Sequence, residues 1–245
     1  MCSIFAATAI RPSEAGMATP EQGLGGFPPT PSIAEHHMSD TQSLLPGLSD
    51  TYRLLSACYY EPEEAFLEED VFGQMERALA AWSPDQAPIA AELERGFREA
   101  GPEALLLDYT RLFLGPFVIH AKPYGSVYLE ADNVIMGDST MAVLERYGEG
   151  GFKLSDTFRE VPDHIAVELE FLYLLHTRLG GEDGADPALA DLKHRFLSEH
   201  LGAWVTPFTK AMEAAAETGF YRRLAWLTRR AVLADLNADP AREAS

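Results

Sequence analysis

From residue 50 to residue 236, almost every segment between proline and glycine breaks repeats its apolar residues three and four positions apart. That period belongs to the α-helix, and a chain that sustains it must bury helix against helix. Residues 160–175, EVPDHIAVELEFLYLL, show it most fully. Ile165, Leu169 and Leu172 recur at i, i+4 and i+7, with Val167, Phe171 and Leu174 in a second row. An apolar arc this wide predicts a helix at the centre of the core. Pro162 suits a first helical turn, and Asp163 complements the positive end of the helix dipole. The spacing therefore puts the carboxylate of Asp163 and the imidazole of His164 together at a helix start. Beside them, residues 147–160 carry Gly148, Gly150 and Gly151 and read as a hinge loop.

The other helices follow from the same pattern. Asp50 is expected to cap a helix bearing Tyr52, Leu55 and Tyr59, stopped by Pro62. Residues 66–82 and 89–100 form the next two. Pro102 opens another through Leu112, with Leu105, Tyr109 and Leu112 on one face. Residues 112–130 lose the period at Gly115, Pro116, Pro123 and Gly125 and read as a loop or short turn. Ser139 caps a helix through Tyr147, and Pro187 begins one that runs to about His200. Residues 204–217 and 220–236 complete the set, the last with a stripe of Phe220, Leu224, Leu227 and Ala231. No segment alternates like a strand and no repeat is visible. The expected class is all-α, a single multi-helix domain over residues 41–240. Residues 1–40, rich in Pro, Gly, Ser and Thr, read as a disordered N-terminal arm; Met38 offers an alternative start.

Charge narrows the function. The 245 residues carry a net charge of −19, which repels nucleic acid and anionic membranes and draws cationic partners. Arg222, Arg223, Arg229 and Arg230 then read as a basic helix face paired with neighbouring acids, not as a nucleic-acid interface. Cys2 and Cys58 have no metal-type spacing and suit a reducing cytoplasm. No apolar run approaches the ~18 residues of a membrane span. The first residues have an apolar stretch without a preceding base, a poor secretory signal. Phosphate loops of the form G-x-x-x-x-G-K-[ST], G-x-S-x-G elbows and H-E-x-x-H pairs are all missing. His164 and Glu168, four apart on one helix face, have metal-ligand spacing; a metal-dependent helical enzyme using them is the alternative reading. On spacing alone the plainer reading is favoured, with Asp163 a helix cap and His164 a satisfied, partly buried histidine.

Four stretches carry a family resemblance: YTRLFLGP from Tyr109, KPYGSVYLE from Lys122, the Pro162-Asp163-His164 helix start, and residues 200–235 with Trp204, Pro207, Phe208 and FYRRLAWL. In this order they resemble the TorD/DmsD (NarJ-like) family of redox-enzyme maturation chaperones. One departure is that Pro162 directly precedes Asp163, where many members place a residue between. The resemblance implies an all-helical cytoplasmic chaperone with no cofactor of its own. Its partner would be the precursor of a molybdenum-containing redox enzyme, bound through its twin-arginine signal peptide until cofactor insertion is complete. Such proteins are monomers or domain-swapped homodimers, and residues 147–160 would suit a swap hinge. The implied peptide-binding residues are Asp163 as arginine partner, His164 beside it, Pro162 and Glu160 just upstream, and Tyr124, Gly125 and Ser126 as a neighbouring wall. Phe113, Trp204 and Phe208 are expected in the core.

Overall fold

Apolar stripes of unequal width sort the helices by depth in this chain. The computed structural model describes residues 9–13, 45–115, 118–131, 135–156, 158–181 and 186–238. In chain order they form β1 (Ile10–Pro12), α1 (Leu45–Ala57), α2 (Ala65–Glu68), α3 (Val71–Trp82), α4 (Pro88–Tyr109), α5 (Ser126–Leu129), α6 (Asp138–Glu149), β2 (Phe152–Leu154), α7 (Ile165–Leu179), α8 (Pro187–Phe196), α9 (Gly202–Ala215) and α10 (Gly219–Asn237). The class is all-α with one small ribbon. Helix α7, apolar nearly all round, is buried along most of its length. It packs along α1, which packs in turn on α3, while α10 lies against α4 and α9. Phe171 of α7 is ringed by Tyr147, Phe152 and Phe196, at centroid distances of 4.7, 6.0 and 5.0 Å. Phe113, Trp204 and Phe208 are buried as well.

Local breaks differ from the sequence reading. The helix expected over residues 66–82 is split by Asp70, which sits at φ 53°. The two helices expected around Gly101 are the two arms of α4, separated where Gly101 takes a non-helical φ of 73° and ψ of 167°. Glycine alone adopts that backbone cheaply, and Pro102 then restarts the helix. A π-turn, Thr110–Leu114, prolongs α4, and a second, Leu197–Leu201, joins α8 to α9. Asp50 and Ser139 lie inside α1 and α6 rather than capping them.

The ribbon was not expected. β1 pairs antiparallel with β2 in the register Ile10↔Leu154, Arg11↔Lys153, Pro12↔Phe152. Ala9 and Ile10 are 2% exposed, so residues 9–13 depart from the expected disordered arm; residues 1–8 and 14–44 lie outside the described residues. The cause is α7. Its Glu170 carboxylate accepts the Ala9 and Ile10 amides at 2.9 and 3.4 Å, which gives the three-residue strand a seat on the helix.

A buried polar hub ties α10 to α1, α7 and α8. The Asp235 carboxylate near the end of α10 accepts from Tyr52 of α1 (3.0 Å) and Lys193 of α8 (2.9 Å) and pairs with His176 of α7 (2.8 Å). Burial works to raise the Asp235 carboxyl, but His176 and Lys193 outweigh it and hold the group below the usual carboxylate range.

Candidate functional site

The start of α7 is built by two segments that meet as extended chains. Tyr124 and His164 form an antiparallel bridge. The Gly125 amide donates to the Asp163 carbonyl at 2.9 Å, and the Ile165 amide to that of Pro123 at 2.8 Å. Helix α7 therefore begins at Ile165, and the residue that caps it is His164. Its Nδ1 accepts from the Ala166 amide at 3.1 Å, satisfying one of the free donors of the first turn. Burial pushes the imidazole down to about 4, so it is neutral near pH 7, as an Nδ1 acceptor must be. Its ring stacks on Tyr60 (6.3 Å) and meets Tyr124 edge-on (5.5 Å).

Asp163 turns inward and is fully buried. Its Oδ2 accepts from the Ser126 amide (2.6 Å) and the Thr140 hydroxyl (3.1 Å), while the Tyr147 hydroxyl donates to the Pro162 carbonyl at 3.0 Å. One carboxylate thus ties α5 and α6 to the start of α7. In this geometry Asp163 lies beneath the surface, where Oδ2 holds the wall and Oδ1 has no hydrogen-bond partner within the protein. Gly125 and Ser126 are buried in that wall. A Cβ on Gly125 would lie 3.0 Å from Trp204 Nε1 and 3.2 Å from Glu168 Oε1, a tight fit that would push on the Glu168–Trp204 bond.

Glu160 faces solvent, and its carboxylate accepts from the Tyr124 hydroxyl at 3.3 Å. Pro162 is half-buried beside it. Three residues that sequence reasoning passed over complete the surface: Tyr60, Glu61 and Tyr109. Burial first, then the charges of Glu170 and Glu160, push the Tyr60 hydroxyl well above its ordinary range. Burial followed by Glu160 and Glu61 pushes Tyr109 up to about 12, and burial followed by Glu160 pushes Tyr124 to about 12. Tyr60, His164 and Tyr124 thus stack beside the exposed Glu160, and Glu160 and Glu61 are both close enough for their charges to act on Tyr109. The adjoining Tyr59, Tyr60 and Glu61 before Pro62 were the available sequence signal; the helix pattern had assigned the tyrosines to packing.

The metal alternative does not assemble. Glu168 points into the core, accepting from Trp204 Nε1 at 3.1 Å and pairing with His200 Nε2 at 2.7 Å, and burial raises its pKa. His164 turns its Nδ1 to the helix backbone instead. Among the described residues no group of three His, Cys, Asp or Glu side chains could hold a metal ion.

Comparison with known proteins gives this architecture a lineage. The family model described as nitrate reductase delta subunit matches residues 77–210. The chain belongs to this family. Among its relatives are a Tat proofreading chaperone DmsD from Salmonella typhimurium, 30% identical over 191 residues, 73% of this chain and 84% of the relative. Another is a chaperone protein TorD from Vibrio cholerae, 25% identical over 197 residues, 80% of this chain and 77% of that one. A crystal structure described as a redox enzyme maturation protein from Archaeoglobus fulgidus superposes with a TM-score of 0.51 at 22% identity, covering 81% of this chain and 95% of that one; it supports the fold. A member of this delta-subunit family with these relatives is a chaperone, not an enzyme. Among the described residues no helix is long and apolar enough to cross a membrane.

Proposed function

We propose that this chaperone binds the twin-arginine signal peptide of a molybdenum-containing redox-enzyme precursor in the cytoplasm and holds it until cofactor insertion is complete. The observation that carries the reading is the surface formed by Glu160, Glu61, Tyr60, Tyr109, Tyr124 and His164. A guanidinium pairs with a carboxylate through charge-assisted, bidentate hydrogen bonds and rests well on an aromatic face. Two exposed carboxylates beside three tyrosines suit two successive arginines, and the net charge of −19 favours the encounter. Asp163, Gly125 and Ser126 fix the wall on which Tyr124 stands. The chaperone works as a monomer or as a homodimer swapped at residues 147–160, where Gly151 sits at φ 75°.

Titration calorimetry with a synthetic peptide carrying two consecutive arginines and a following apolar segment tests this. Glu160→Gln and Glu61→Gln should each weaken binding by about 1–2 kcal/mol, the scale of a charge-assisted hydrogen bond, and added salt should weaken it further. Both side chains are exposed, so melting temperatures should stay put. Full affinity in both variants would remove this surface from peptide binding.

A further inference from the structure

The N-terminal strand occupies a seat that reads main chain more than side chain. The Ala9 carbonyl accepts from the Ser155 amide at 2.7 Å, and the Ser13 amide donates to the Gly151 carbonyl at 2.8 Å. Glu170 takes the two successive amides of Ala9 and Ile10. Only the small Ala9 side chain and that of Ile10 are buried. Arg11 leaves the ribbon to pair with Asp156 at 2.5 Å, but both side chains are largely exposed, 41% and 84%, and such a pair contributes little. Any extended segment with an aliphatic residue followed by a basic one could make these same contacts, as in recognition by strand addition.

The occupant is also weakly held. The pairing spans three residues, and an isolated two-stranded ribbon is marginal on its own. Residues 14–44 separate it from α1, a long tether in sequence.

The seat adjoins the proposed peptide surface. The charge of Glu170 reaches Tyr60, which stacks on His164, and Glu160, six positions after the end of β2 in sequence, accepts from Tyr124 beside that ring. Asp156 already holds the Arg11 guanidinium of the ribbon, so a basic, extended visitor would take over a contact that the occupant itself makes.

We propose that β1 is a built-in occupant of an extended-peptide seat formed by β2 and Glu170, displaced when a basic, extended segment of the client precursor binds. This rests on the peptide-binding reading above and adds its regulation: the chaperone's own arm competes with the client, so that only a segment able to engage both the seat and the acidic tyrosine surface opens the site.

The test uses the full chain with Ile10→Cys and Leu154→Cys, facing residues of the ribbon, in a Cys2→Ser background, checked for native circular dichroism. Reduced, this variant has lost the apolar anchor of Ile10 and should bind the synthetic twin-arginine peptide several-fold tighter than wild type. Oxidised, with the strand locked, it should bind at least tenfold more weakly, and reductant should reverse the loss. Hydrogen exchange on the wild-type chain gives a second measure: the Ala9 and Ile10 amides should lose protection when the peptide is added. Equal affinity in wild-type, reduced and oxidised protein, or unchanged protection at Ala9 and Ile10, overturns the displacement while leaving peptide binding intact. Absence of binding in every form, wild type included, overturns both.

Discussion

Glu170→Gln should change how stability depends on pH, and the sign can be worked out. Burial pushes the Glu170 carboxyl up from 4.5 to about 7, against the opposing pull of the Ala9 and Ile10 amides. The folded protein therefore holds a proton more tightly than the unfolded chain does. The stability this contributes is fully present below pH 4.5 and is lost as pH rises through about 7. At 1.36 kcal/mol per pH unit, the loss amounts to roughly 3 kcal/mol, with little discount for solvent because Glu170 is only 7% exposed. His164 acts in the opposite sense. Burial pulls its imidazole from 6.5 to about 4, so its contribution is lost as pH falls from 6.5 towards 4. Subtracting wild type from variant removes His164 and isolates Glu170. Glutamine keeps one acceptor for the strand amides and never ionises, so it adds only a constant offset. Urea unfolding at pH 5, 6, 7 and 8 should then show the variant gaining on wild type by about 2–3 kcal/mol between the lowest and highest pH. A difference that stays flat, or that shrinks as pH rises, would refute the argument.

Two further outcomes follow from the packing at the start of α7. Asp163→Ala strands the buried Ser126 amide and Thr140 hydroxyl, and should cost roughly 2–4 kcal/mol in urea unfolding; Asp163→Asn, which keeps an acceptor oxygen for both donors, should cost clearly less. Gly125→Ala forces a methyl to within 3.0 Å of Trp204 Nε1 and should lower stability by about 1–3 kcal/mol, with a shift in Trp204 fluorescence reporting the displaced Glu168–Trp204 bond.

Where a helix face is wide and apolar, the sequence was legible. The stripe Phe220, Leu224, Leu227 and Ala231 is fully buried on α10, and α7 is the central helix its two apolar rows implied. Boundaries were less so, because they depend on partners distant in sequence. The start of α7 falls at Ile165 rather than Pro162 because residues 123–125 pair with it as extended chain. The same long-range contact decides the site. From spacing alone, Asp163 looks like an available carboxylate; Ser126 and Thr140, brought from other elements, turn it inward. β1 and β2 were missed because three residues cannot display alternation, and Glu170 because it sits in the middle of an apolar helix whose strand partner is some 160 positions away.

The Asp235 hub has a consequence during synthesis. Its carboxylate belongs to α10, near the end of the chain, yet its partners Tyr52, His176 and Lys193 come from α1, α7 and α8. While the ribosome is still making α10, those three groups have no shared acceptor, and the tyrosine and lysine must remain hydrated instead of buried. The helices made earlier can associate, but they cannot lock. Docking of α10 is therefore the step that locks α1, α7 and α8 to one another, and the fold tightens only when the Asp235 carboxylate arrives.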